Sequence, residues 1–283
     1  MRRAAVLGHP IAHSLSPVLH RAAYEALGLD GWRYEALDVT EEQLPDVVAG
    51  LDATWAGLSL TMPLKKTVLG LLDHVEPLAE VVGAVNTVLV QAAAGSAPVL
   101  VGANTDVHGV VAALREGLGQ DVRVGSAAVI GAGATAASTL AALAEMGCTR
   151  PLVLVRSMAR AGGTMRAAHR MGVEPDFRMI NPQRVMTALT ATDVVVSTLP
   201  PHAADVIATD LGATGATVRG VLLDCAYDPR PTALAAAWTR AGGTTVGGER
   251  MLLHQATEQV RLMTGRTAPV RVMSDALVRV LQG

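Results

Sequence analysis

The chain is poor in aromatic residues, with one phenylalanine, three tyrosines and three tryptophans among 283 residues. That scarcity reads as a compositional habit of the source with little functional content. Only two cysteines occur, Cys148 and Cys225, too few for a disulfide framework and without metal-ligand spacing. No metal is expected. Charge of one sign is also missing: 23 Lys and Arg face 25 Asp and Glu, for a formal net charge of −2. Such a balance argues against a nucleic-acid or anionic-lipid partner. No apolar run approaches the roughly 20 residues needed to span a bilayer. The start, Met1-Arg2-Arg3 before a short strand-like stretch, lacks a signal-peptide core. A reduced, cytoplasmic setting is the expectation.

What is present is apolar bulk. Half of the residues are hydrophobic, ample for a core, and the length suggests two domains. Short apolar runs alternate with helical periodicity from end to end, the signature of an α/β fold. In the first third, residues 4–7, 34–39, 57–60, 85–90 and 99–101 predict strands, and 17–27 and 41–51 predict helices. Gly28 supplies a stop for the first helix. From residue 107 a helix runs on Val107, Val110, Val111, Leu114 and Leu118 and ends at Gly119. Four nearly continuous apolar strands follow, at 127–130, 152–155, 194–196 and 221–223, separated by helices such as 134–146 and 232–241. Runs of that kind suit a parallel sheet covered on both faces. Two terminal helices are expected to return to the first domain. The predicted organisation is an N-terminal α/β substrate domain, residues 1–106 and 246–283, with an inserted Rossmann-type parallel-sheet cofactor domain at 107–245.

Gly131-Ala132-Gly133-Ala134-Thr135-Ala136 follows a predicted strand and opens a predicted helix. This is the G-x-G-x-x-A form of the dinucleotide fingerprint in the context it needs. The first glycine allows the tight turn, the second lets backbone approach a pyrophosphate, and Ala136 permits close helix packing. The helix N-terminus adds free N–H groups and positive partial charge. The next strand ends in Val155-Arg156-Ser157, with Arg160 one turn on and no carboxylate for a ribose 2′-hydroxyl. Arg156, Ser157 and Arg160 can instead bind a 2′-phosphate, so NADP is favoured over NAD.

Four further clusters lie in the first domain. Ser14-Leu15-Ser16 precedes Pro17. Read as extended backbone, it aims both hydroxyls at one carboxylate, although Ser16 could instead cap the following helix. Ser59-Leu60-Thr61-Met62-Pro63-Leu64-Lys65 places Lys65 in the first turn of a helix, where the dipole opposes a cation and favours proton transfer, although spacing alone fits Lys65 and Lys66 better as two solvated charges. Gly83-Ala84-Val85-Asn86-Thr87 presents one amide able to donate to and accept from a hydroxyl. Asn104-Thr105-Asp106 leads into a helix whose first turn stabilises a carboxylate.

Taken together, these segments resemble the shikimate dehydrogenase family. The resemblance runs from Gly8-His9-Pro10-Ile11-Ala12-His13-Ser14-Leu15-Ser16-Pro17 through Asp224-Cys225-Ala226-Tyr227-Asp228-Pro229 to Met251-Leu252-Leu253-His254-Gln255-Ala256. It implies reversible reduction of 3-dehydroshikimate to shikimate with NADPH, a step of aromatic amino-acid biosynthesis. By position it implies that Ser14 and Ser16 bind the carboxylate, with Tyr227 nearby. Lys65 and Asp106 would form the catalytic pair. Thr61, Asn86 and Gln255 would hold ring hydroxyls, and Cys225 and Gly248 would line the nicotinamide side. Departures from the usual pattern are Ser59 for Asn, Ala134 for a third Gly, Val155 for Asn, and His108 after the catalytic-pair aspartate. The expected partner is a small molecule, and the chain a monomer or homodimer. Competing readings are an NAD-dependent quinate/shikimate dehydrogenase and a catalytically silent binding module. The missing carboxylate and the Ser-x-Ser pair disfavour the first, and retention of Lys65 and Asp106 disfavours the second.

Overall fold

A computed structural model describes residues 1–92 and 97–282. The chain forms two compact units: Met1–Thr105 with the C-terminal residues from Leu252, and Asp106–Met251.

The first unit carries β1 (Arg2–Gly8), α1 (Ser16–Ala26), β2 (Trp32–Asp38), α2 (Leu44–Ala49), β3 (Trp55–Leu60), α3 (Leu64–Thr67), β4 (His74–Val75), α4 (Pro77–Val82), β5 (Thr87–Gln91) and β6 (Val99–Ala103). Its sheet has the order β2-β1-β3-β5-β6-β4. β1 pairs in parallel with β2 and β3, whereas β5 runs antiparallel to β3 and β6. Alternate side chains of β1 enter different cores, as the two-residue strand repeat requires. Ala5 and Leu7 pack with Leu44, Leu64 and Val68 on one face. Ala4 and Val6 pack on the other with Leu19 and Ala23 of α1 and with residues of the C-terminal helices α11 (Gly248–Thr264) and α12 (Val270–Gln282). Both faces are covered, which explains why residues 4–7 of β1 read as an unbroken apolar run. Gly57 lets α11 approach, since a Cβ there would lie 2.5 Å from the Val88 carbonyl and 3.0 Å from Met263.

The second unit begins with α5 (Asp106–Leu118) and continues through β7 (Ala127–Ile130), α6 (Ala134–Glu145), β8 (Leu152–Val155), α7 (Gly162–Arg170), β9 (Asp176–Met179), α8 (Pro182–Ala191), β10 (Val194–Ser197), α9 (Asp205–Thr214), β11 (Val221–Asp224), α10 (Ala233–Arg240) and β12 (Thr244–Gly247), then enters α11. All its pairings are parallel, in the order β12-β11-β10-β7-β8-β9. The winding direction reverses between β7 and β10, the crevice where ligands bind in open parallel sheets.

Three strands escape the apolar pattern. β4, β9 and β12 all stand at sheet edges, and two of them are polar: Asp-Phe-Arg-Met in β9 and Thr-Thr-Val-Gly in β12. The helix predicted over 41–51 is limited to Leu44–Ala49, because Pro45 sits in its first turn and residues 41–43 form a turn before it. Among the described residues no helix is long and apolar enough to cross a membrane.

Candidate functional site

The Gly-rich turn of the second unit starts where β7 ends. Gly131 has φ +116°, and a Cβ there would fall 2.4 Å from the Thr198 hydroxyl, so the position requires glycine. At Gly133 a Cβ would meet nothing within 4 Å. The open side of that residue is therefore free for a ligand. The turn is held from beneath: Gly131 N–H donates to the Leu154 carbonyl at 2.9 Å, and the Thr164 hydroxyl donates to the Ala132 carbonyl at 2.7 Å. No side chain caps α6, which leaves its first N–H groups, from Ala134 and Thr135 onward, outside the helix ladder. Ala136 is fully buried.

One cleft joins Gly131, Ala132 and Gly133 with Val155, Arg156, Ser157 and Arg160. Ile180, Thr198, Leu199 and Pro200 complete its wall. Among the described residues, no carboxylate lines it. Free N–H groups at a glycine turn beside two exposed arginines and a serine form a donor set for phosphates. The residues thus fit a dinucleotide bearing a 2′-phosphate. Sequence reasoning missed the Ile180–Pro200 side of the cleft. Its signal was positional, since both segments directly follow parallel strands.

At the end of β11, burial pushes the Asp224 carboxyl up, against a 2.7 Å hydrogen bond from Thr232. Cys225 and Gly248 lie together: a Cβ on Gly248 would sit 2.2 Å from the Cys225 carbonyl oxygen. Tyr227 is half-buried, and burial raises its hydroxyl.

In the first unit, Asn86 and Gln255 meet in a buried polar network. Asn86 Nδ2 donates to Gln255 Oε1 at 3.3 Å and to the Thr105 hydroxyl at 3.0 Å. Its Oδ1 accepts from the Thr105 N–H at 2.7 Å and from the Thr87 hydroxyl at 3.0 Å. That oxygen is thereby occupied, so Asn86 serves as a donor, where its residue type alone allowed either role. Gln255 Nε2 donates to the Leu252 carbonyl at 3.0 Å, which leaves Oε1 as its acceptor.

Behind this pair lies Gln259, 1% exposed. Ser59 Oγ donates to Gln259 Oε1 at 2.8 Å and accepts from the Tyr34 hydroxyl at 2.7 Å. Burial raises the Tyr34 hydroxyl far above its usual range, opposed by hydrogen bonds to Ser59 and Ser16. Gln259 lies four residues after Gln255, hence on the same helix face, a spacing that could have revealed it.

Two sequence expectations need correction. Ser14-Leu15-Ser16 is not extended. Leu15 has φ −86° and ψ −4°, Ser16 is already the first residue of α1, and its N–H donates to Ser14 Oγ at 3.4 Å. Strand-like alternation therefore cannot aim the two hydroxyls, and Ser16 is not the cap. Ser16 is buried and Ser14 half-buried. The second concerns Lys65. Its helix α3 is a single α-turn followed by a 3-10 turn, Val68–Leu71, so the dipole available to oppose a cation is small. Lys65 is half-buried and its carbonyl accepts from the Val85 N–H at 2.8 Å, while Lys66 is exposed. Thr61 packs its methyl against Gly8, where a Cβ would stand 2.3 Å away. Asp106 is 3% exposed in the first turn of α5.

The protein-family model described as the shikimate dehydrogenase substrate binding domain matches residues 6–88. That described as the shikimate 5′-dehydrogenase C-terminal domain matches residues 248–278. The chain is similar to the shikimate dehydrogenase (NADP(+)) of Methanothermobacter thermautotrophicus, 34% identical over 98% of this chain and 95% of that protein. It is similar to the crystal structure of Mycobacterium tuberculosis shikimate dehydrogenase, with TM-score 0.85 and 40% identity over 99% of this chain and 100% of the other. Shikimate 5-dehydrogenase from Thermus thermophilus, in complex with NADP(H) and shikimate, matches with TM-score 0.81 and 32% identity over 99% of this chain and 100% of that one.

Proposed function

The chain belongs to the shikimate dehydrogenase family, and on that premise we propose that it reversibly reduces 3-dehydroshikimate to shikimate with NADPH. The observation that carries the cofactor choice is the cleft at the Gly-rich turn, which presents Arg156, Ser157 and Arg160 and no carboxylate. Bound NADPH supplies the hydride that adds to the ketone carbon. Gly131, Ala132, Gly133, Ala134 and Thr135 hold the pyrophosphate through backbone N–H groups. Arg156, Ser157 and Arg160 hold the 2′-phosphate, and Cys225 and Gly248 line the nicotinamide side.

In this reading Ser14 and Ser16 bind the substrate carboxylate, with Tyr227 beside it. Thr61, Asn86 and Gln255 hold ring hydroxyls. As the ketone becomes an alcohol, negative charge grows on its oxygen. Lys65, as ammonium, stabilises that charge and delivers the proton, while Asp106 orients Lys65 and the neighbouring hydroxyl. Oxidation reverses the proton's path. Soluble substrates of this kind need no macromolecular partner.

The test is a steady-state assay of the purified chain, following NADPH absorbance with 3-dehydroshikimate, then NADH, and in reverse shikimate against quinate. Two charge-assisted hydrogen bonds at about 1.5 kcal/mol each correspond to a roughly hundredfold preference for NADP(H). A preference for NAD, or for quinate, would overturn the reading. Lys65→Ala is expected to lower kcat by roughly 10²–10⁴-fold while shikimate binding persists. Asp106→Asn is expected to lose less, though still severely. Near-normal turnover in either variant removes that residue from the pair.

A further inference from the structure

We infer that Gln259 is a positioning residue for substrate recognition, because its buried amide holds the Asn86 carbonyl and the Thr87 hydroxyl and so, with the Thr105 N–H, keeps Asn86 turned as a hydrogen-bond donor toward Gln255, whose own direction the Leu252 carbonyl sets. The inference rests on the reading in which Asn86 and Gln255 hold a substrate hydroxyl.

The direction of every bond follows from chemistry. Gln259 Nε2 lies 3.3 Å from the Asn86 carbonyl oxygen and 3.0 Å from the Thr87 hydroxyl. A carbonyl can only accept, so the amide cannot be turned round without setting oxygen against oxygen. Oε1 must then face Ser59 Oγ at 2.8 Å and His20 Nε2 at 3.2 Å, and must accept from both. His20 therefore carries its proton on Nε2. Its Nδ1 is buried with no partner among the described residues, which suits a bare nitrogen far better than an N–H. Burial also lowers the imidazole to about 3, so the ring stays neutral at ordinary pH.

The same logic continues toward the site. The Thr87 hydroxyl accepts from Gln259, so its own hydrogen is free for Asn86 Oδ1 at 3.0 Å. With the Thr105 N–H at 2.7 Å this saturates Oδ1 and leaves Nδ2 facing Gln255 Oε1. A substrate group placed between the two must accept from one amide and donate to the other. A hydroxyl does both. A ketone cannot donate, and an ether cannot either. Gln259 acts at one remove, through Thr87 and the Asn86 backbone. It touches no reacting atom in this scheme.

Steady-state kinetics of the full chain tests this with Gln259→Leu and Thr87→Val, the second leaving the other three bonds of Gln259 in place. Loss of one neutral hydrogen bond, about 1.4 kcal/mol, corresponds to a tenfold change. Each variant is expected to raise the KM for shikimate about tenfold, with kcat changed far less and the KM for NADP+ unchanged. The double variant is expected to be no worse than the poorer single one, since both break one chain of bonds. An unchanged shikimate KM in a folded variant, equal losses for both substrates, or full additivity would overturn the inference. If Gln259→Leu does not fold, Thr87→Val alone carries the same expectation. Nitrogen-15 NMR of wild-type His20 must show a protonated Nε2, and a protonated Nδ1 overturns the bond directions independently of activity. A wild-type chain inactive on shikimate would instead sink the functional reading, whatever the tautomer.

Discussion

His20 lies fully buried between the Tyr34 ring, 3.9 Å away and tilted by 11°, and the amide of Gln259. Desolvation lowers its pKa from 6.5 to about 3, partly opposed by the Gln259 hydrogen bond. In acid the unfolded chain therefore takes up this proton first. The stability His20 contributes is complete above pH 6.5 and is lost as pH falls from there toward about 3. In that window the slope from this one group approaches about 1.4 kcal/mol per pH unit. Denaturant titrations at several pH values should show it, and His20→Phe should flatten the curve by that amount. An unaltered slope would mean that the ring is already protonated or hydrated in the native protein. Nothing in the sequence distinguishes His20 from the exposed His13. Burial alone does.

Among elements, those legible in the sequence were the ones whose own side chains carry the energetics. β7, β8, β10 and β11 have both faces covered and read as apolar runs. Edge strands need only one flank and can stay polar, so β9 and β12 left no such trace. The turn between β7 and α6 was legible for a different reason, because its geometry demands particular residues. Gly131→Ala forces a side chain into φ +116° and against Thr198. A cost of about 1–3 kcal/mol follows from backbone strain alone. Denaturant unfolding should register that loss, together with weaker NADP+ binding in a direct titration. An alanine variant with wild-type stability and affinity would show that the turn can relax. Ser14-Leu15-Ser16 failed as a local reading because α1 begins inside it. Helix boundaries depend on what the flanking residues pack against as well as on the Pro17 that follows.

For the whole molecule, each compact unit has a sheet and core of its own, and the two ligands have separate sets of proposed contacts. Hydrogen exchange should separate them. NADP+ is expected to slow exchange most around residues 131–137 and 156–160, and shikimate around 86–87 and 252–259. At a hundred times its dissociation constant, either ligand should add about 2.7 kcal/mol to the stability of the folded protein. Protection by NADP+ centred on the first unit would refute the division of labour. The dinucleotide turn, the basic end of β8 and the apolar strands could be read from the chain because each rests on neighbours close in sequence. The donor face of Asn86 could not. It depends on Thr105, 19 positions away and brought beside it by the β5–β6 pairing, and on Gln255 and Gln259, 169 and 173 positions away, which reach Asn86 only when α11 packs on the first sheet. Hydrogen-bond direction in a buried network is a property of all its members at once, so no single segment of the chain contains it.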